Sequence, residues 1–159
     1  MRPGAARSHN GDVTPARLQA SLHERIPLSR ALGVRVRTAS PDAVLVEAPL
    51  APNVNHSGTV FGGSASAVAV LAAWSLVELR LASDGLAGRI VIRRSGMDFD
   101  RPITGDFEAE ARAPSAAQWE RLLGALHRGR MGRVAVRSVL RCAGEPVAGL
   151  EAEFAVIPP

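Results

Sequence analysis

The chain carries one segment that dictates much of its fold. Asn55-His56-Ser57-Gly58-Thr59-Val60-Phe61-Gly62-Gly63-Ser64 runs straight into Ala65-Ser66-Ala67-Val68-Ala69-Val70-Leu71-Ala72-Ala73-Trp74. A polar, Gly-rich loop thus opens onto a helix that has no polar face. Such a helix is not a surface element and has to be wrapped by other structure. Its first N–H groups lack partners inside the helix and project, with the positive end of the helix dipole, into whatever the loop shapes. The adjacent Gly62 and Gly63 let a ligand approach the backbone where side chains would block it. Such an arrangement polarises a carbonyl or holds an anion without a charged side chain.

The stretch from Val60 to Val77 comes near the length of a membrane span. Its Ala, Gly and Ser content, and the strand patterns that follow it, favour a buried helix in a soluble, cytoplasmic protein. The 159 residues suffice for one domain with a sizeable core, and 47% hydrophobic content argues against disorder. Aromatics make up only 4%, so Val, Leu, Ile and Ala must fill most of that core. All 19 basic residues are Arg, a bias in keeping with GC-rich codons, and the net charge is +4. Without clustered stacking aromatics or a binding motif, this charge does not indicate nucleic acid. Cys142 is the only cysteine, which excludes an internal disulfide and a Cys-rich metal site and suggests a reducing compartment. No metal or redox cofactor is indicated. Residues 1–13 lack the apolar run of a signal peptide and read as a mobile extension, leaving 14–159 as the domain.

Periodicity supplies the remaining elements. A first helix is predicted over about Thr14–Ser29, with Leu18, Leu22 and Ile26 on one face. Val34 and Val36 alternate with Arg35 and Arg37, and Val44, Val46, Ala48 and Leu50 form the matching face of a second strand. The buried helix is expected to end near Asp84-Gly85. Ile90–Asp100 and Phe107–Arg112 read as strands, and Ser115 as the cap of a short helix carrying Trp119, Leu122, Leu123 and Leu126. Two last strands form a hairpin whose charged faces match when Arg137 lies opposite Glu151. The result is an α+β domain with about six antiparallel strands around one long helix.

This layout resembles the hotdog fold, in which a curved antiparallel sheet wraps a central helix. It is most similar to a bacterial family of thioesterase-like domains, the YiiD C-terminal family, found after an acetyltransferase in some proteins. The residues that carry the likeness are Pro52 to Ser64, Val70 to Trp74, Ile90-Val91-Ile92, Arg101 to Phe107 and Gly129-Arg130. The resemblance implies acyl-thioester chemistry on CoA or an acyl carrier protein, and a homodimer or pair of dimers with sites at the dimer interface. In the better-known hotdog thioesterases a His precedes the paired glycines and an acid lies about two helical turns later. Here Phe61 and Val70 stand at those places, and no acid follows until Glu78.

Candidate site residues follow from the segment itself. The backbone of Gly62 and Gly63 would polarise a thioester carbonyl, or the glycines would only allow close packing of the helix. His56 could activate water near neutral pH, and Asn55 could orient that water or bond the carbonyl. Ser64 could cap the helix or add a hydroxyl to the pocket, and Phe61 would wall the acyl chain. Arg128 and Arg130, with Arg133, could bind phosphates or an acidic carrier protein, or simply be solvated. In the resembled fold the strand after the helix is the dimer edge, which would pair Arg94 of one chain with Asp98 of the other around Gly96. A non-catalytic acyl-CoA-binding or assembly module is the competing reading of the whole chain.

Overall fold

Helix α3 (Gly62–Ser83) is the axis of the molecule, and a six-stranded antiparallel sheet curves around it. The computed structural model describes residues 13–159, so the expected extension lies, Val13 apart, outside the described residues. Eleven residues of α3 are buried, among them Val68, Leu71, Leu76 and Leu79, because the apolar helix faces the sheet through most of its circumference. By length and composition α3 could cross a membrane, but here it is the core helix. The fold is the hotdog layout that the sequence implied.

Strands β1 (Arg35–Ala39) and β2 (Ala43–Ala48) form the first hairpin, followed after α3 by β3 (Arg89–Phe99) and β4 (Phe107–Arg112). Strands β5 (Gly132–Cys142) and β6 (Glu145–Ile157) close the sheet in the order β1-β2-β4-β5-β6-β3. The inward residues are those that alternation selects: Val44, Val46, Phe107, Ala109, Ala111, Val134, Val136 and Leu140 are all buried. Arg137 does pair with Glu151, and the β5–β6 turn is Ala143-Gly144, both with positive φ. That left-handed pair is the geometry of a tight hairpin whose twist matches its strands. Register shifts at Val36/Thr38, Ile92/Arg94 and Leu140/Arg141 add the local bends that let the sheet curve.

The first helix departs from its prediction. It is broken into α1 (Pro15–Arg25) and α2 (Pro27–Ala31), with Ile26 at φ −130°, ψ 81° between them. Pro27 is the cause, since a residue preceding proline is pushed out of the helical region. Thr14 caps α1, and Ser115 caps α4 (Ala116–His127) as its sequence predicts. Helix α4 lays Trp119, Leu122 and Leu126 into the same core as α3. Ser75 is buried, and its hydroxyl meets no hydrogen-bond partner among the described residues.

Candidate active site at the start of the central helix

The loop before α3 is braced chiefly by two asparagines. Asn55 Oδ1 accepts the N–H groups of Ser57 (2.8 Å) and Thr59 (3.2 Å). Its Nδ2 donates to Thr59 Oγ1 at 3.0 Å. The Asn55 amide is therefore committed to shaping the turn that its sequence position suggests. Asn53, 1% exposed, donates to the carbonyls of Leu32 (2.8 Å) and Pro49 (2.7 Å), while its own carbonyl accepts the N–H of Phe61 at 2.7 Å. Through this residue the end of β2, the turn before β1 and the entry to α3 are held as one unit. Val60 N–H donates to Ile103 O (2.8 Å), and Asp106 accepts Leu50 N–H (2.9 Å), tying the same loop to the turn after β3.

The helix itself begins at Gly62, with Phe61 as its cap residue and no side chain bonding the first turn. The N–H groups of Gly62, Gly63 and Ser64 meet no acceptor among the described residues. Ser64 is the third residue of the helix, so the capping role considered for it is not available. Ser64 is half-buried and its hydroxyl meets no partner among the described residues, whereas Ser66 Oγ donates back to Gly62 O at 2.8 Å. A Cβ on Gly63 would lie 2.3 Å from the Phe61 ring, and one on Gly62 would lie 3.4 Å from the Phe99 ring. The two phenyl rings thus flank the exposed donors, and both are open to solvent, 58% exposed at Phe61 and 52% at Phe99. An apolar rim with uncommitted backbone donors at its base suits a thioester, whose acyl chain is apolar and whose carbonyl needs donors.

His56 sits exposed in the loop and makes no hydrogen bond among the described residues, leaving its imidazole free. The nearest acid along α3, Glu78, is ion-paired with Arg25 about 24 Å down the helix from Gly62. Met97 packs against the core and Phe99 reaches the helix start, so Asp98 between them points to the other face of β3. Arg94 and Asp98 form no ion pair among the described residues; Arg93 instead meets Glu153 at 2.6 Å.

Arg128 and Arg130 do not join this site. They flank Gly129 (φ 67°) beyond α4, at the end of the sheet where Gly132, Val156 and Ile90 lie side by side. Phe99, Ala148 and Leu140 mark the opposite end, about 30 Å away along the strands. The sequence offers Arg128 and Arg130 as phosphate or carrier-protein ligands, or as solvated residues, without a position relative to the loop, and the register supplies that position. Sequence reasoning missed Asn53 and Phe99 as parts of the site. Asn53 stands in a turn-rich string that marks it as a bracing residue, but Phe99 has no local signal, since its contact with Gly62 is long-range.

A cleft of about 760 Å³ lies elsewhere, between α1 and the outer face of the sheet, lined by Gln19, His23, Arg35, Arg37 and Glu47 among others. Arg37 and Glu47 pair there at 2.7 Å, and the hydrogen bond and charge of Glu47 hold the Arg37 pKa above its ordinary value. None of the helix-start residues line this cleft.

Several solved structures share this fold. A crystal structure from Shewanella oneidensis, described as a putative thioesterase, is 28% identical over 91% of this chain and 97% of that one, with TM-score 0.81. One from Pseudomonas aeruginosa, described as a probable thioesterase, is 25% identical over 92% and 97%, with TM-score 0.77. A protein of unknown function from Chlorobaculum tepidum shares the fold at 23% identity over 94% and 100%, with TM-score 0.86. The model of the family described as "putative thioesterase (yiiD_Cterm)" matches residues 15–158, and the chain belongs to that family.

Proposed function

We propose that the protein hydrolyses acyl thioesters of CoA or an acyl carrier protein, with the thioester carbonyl seated on the N–H groups of Gly62 and Gly63. The observation that carries this reading is the unpartnered first turn of α3, rimmed by Phe61 and Phe99. Water adds to the carbonyl carbon, and the oxyanion that forms is held by those donors and the helix dipole. His56 takes a proton from the attacking water and returns it to the thiolate sulfur as the C–S bond breaks, giving a carboxylic acid and a thiol. Asn55 acts through the loop as a positioning residue, and Ser64 adds a hydroxyl beside the donors.

The working unit in this reading is a homodimer joined through β3. That strand is an eleven-residue edge with Val91 and Ile92 exposed and Gly96 bare, and antiparallel pairing around Gly96 sets Arg94 against the partner's Asp98. A reducing, cytoplasmic setting fits the lone Cys142. The missing carboxylate favours a second reading, a module that binds acyl-CoA without turning it over.

Steady-state hydrolysis of an acyl-CoA panel separates the two. Turnover by the native chain, lowered about 10²-fold or more in His56→Ala, supports the hydrolase. Saturable binding with no turnover above background across the panel supports the binding module.

A further inference from the structure

The apolar side chains of α3 that stay half-exposed fall on one line. Ala67, Val70 and Trp74 follow the open Gly63 at steps of four, three and four residues, so they share one face of the helix. Side-chain size climbs along that line, from none at Gly63 to a methyl, an isopropyl and an indole. Strand β3 borders it, because Ile90, Ile92, Met97 and Phe99 lie opposite buried residues of β6 and share the inner face of the sheet. Helix and strand meet at both ends of the line. A Cβ on Gly62 would lie 3.4 Å from the Phe99 ring, and Trp74 Nε1 donates to Ile90 O at 3.4 Å. Between those contacts they stand apart, since Ile92 is 45% exposed and Met97, Ala67 and Val70 are half-exposed although all four face inward. A groove therefore starts beside the N–H groups of Gly62 and Gly63 and narrows toward Trp74.

The narrow end is held fast. The Trp74 ring lies 5.1 Å from the Arg25 guanidinium, and Arg25 is ion-paired with Glu78 one turn further along α3. A hydrogen bond, a cation–π contact and an ion pair thus fix the one bulky residue on the line. A face that only met a second copy of the chain would need no such order in size. An alkyl chain that begins at a carbonyl on the helix donors does, because it needs room at its start and a wall where it ends.

We propose that Trp74 is a specificity-determining residue, the stop that limits the acyl chain in this groove to about nine carbons. The proposal rests on the thioester reading and adds a substrate class to it, straight medium-chain acyl groups. From Gly63 to Trp74 the helix rises about 16 Å, and the indole leans back toward the helix start by roughly one turn, about 5 Å. The remaining length of about 11 Å holds about nine carbons at ~1.25 Å each.

Chain-length profiles test it. Hydrolysis of straight acyl-CoAs of about four to sixteen carbons is compared in the native chain, Trp74→Ala and Ala67→Phe. Native kcat/KM should rise roughly threefold to fourfold with each carbon up to about nine and then stop rising. Trp74→Ala should move that limit about four carbons higher, and Ala67→Phe, which fills the groove nearer the donors, should move it about four lower. The readout is the ratio of long-chain to short-chain kcat/KM within each variant, which loss of fold or of assembly lowers for every chain alike. A limit that fails to rise in Trp74→Ala overturns the proposal. If that variant does not fold, a limit that fails to drop in Ala67→Phe overturns it. If the native chain hydrolyses no acyl-CoA, the hydrolase reading fails by itself, and dissociation constants of the same series then decide the present one. Native affinity that does not change with chain length overturns it.

Discussion

The two ends of α3 are built to opposite standards. At the C-terminal end, Arg80 donates to Pro41 O (3.2 Å), lies 5.0 Å from the centre of the Trp119 ring and reaches Asp42 at 3.3 Å. Trp119 Nε1 donates to Asp84 at 2.7 Å, and Leu86 N–H closes the last turn on Leu81 O at 2.9 Å. At the N-terminal end the cap residue is a phenylalanine, the next two residues are glycines, and the first N–H groups have no acceptor among the described residues. A helix selected only for stability would have Ser, Asp or Asn at that cap and no glycine pair behind it. One end anchors the fold, and in the function proposed above the other keeps its donors available for a ligand.

Breaking the anchored end should cost stability. Trp119→Ala removes a buried ring from the core and the hydrogen bond to Asp84, and is expected to lower unfolding free energy by about 3–5 kcal/mol in urea titration. Turnover per folded molecule should stay near native, because the helix start is at the other end of α3. A large loss of kcat without loss of fold would break the comparison.

Repairing the open end should do the reverse. Phe61→Asp places a carboxylate at the cap position, where it can accept the first-turn N–H groups. Thermal unfolding should then show a gain of about 1 kcal/mol. Acyl-CoA hydrolysis should fall by roughly 10²-fold, since the carboxylate occupies the carbonyl's donors. A variant that is both stabler and fully active would remove the donors from the mechanism.

The smallest effect sharpens the assignment of the anchored end. Arg80→Ala loses an exposed ion pair and a cation–π contact, together worth about 1 kcal/mol. Its kcat/KM should be unchanged, and a measurable shift would mean the two ends communicate.

Much of this architecture is legible in the residues. Period-two alternation gave the inward faces of the strands, Ser115 marked the start of α4, and Asp84-Gly85 marked the end of α3. The Arg137–Glu151 register followed from matching charged faces. The break at Pro27 was overlooked because the Leu18, Leu22, Ile26 repeat runs right up to it. The site was harder to read. The string Asn55 to Ser64 marks a Gly-rich helix start, but it does not show that the Asn55 amide is used up bracing its own turn. Nor does it reveal the 1% exposed Asn53 behind the loop.

Sequence by itself determined that an apolar helix had to be wrapped, that alternating strands would wrap it, and that it would open on a glycine pair. Those are local properties, set by composition, period and backbone freedom. Tertiary structure alone decided that β3 lies beside β6, that Phe99 closes on Gly62, and that Arg128 and Arg130 lie at the opposite end of the sheet. Strand order and register are long-range choices, fixed by which faces can be buried together.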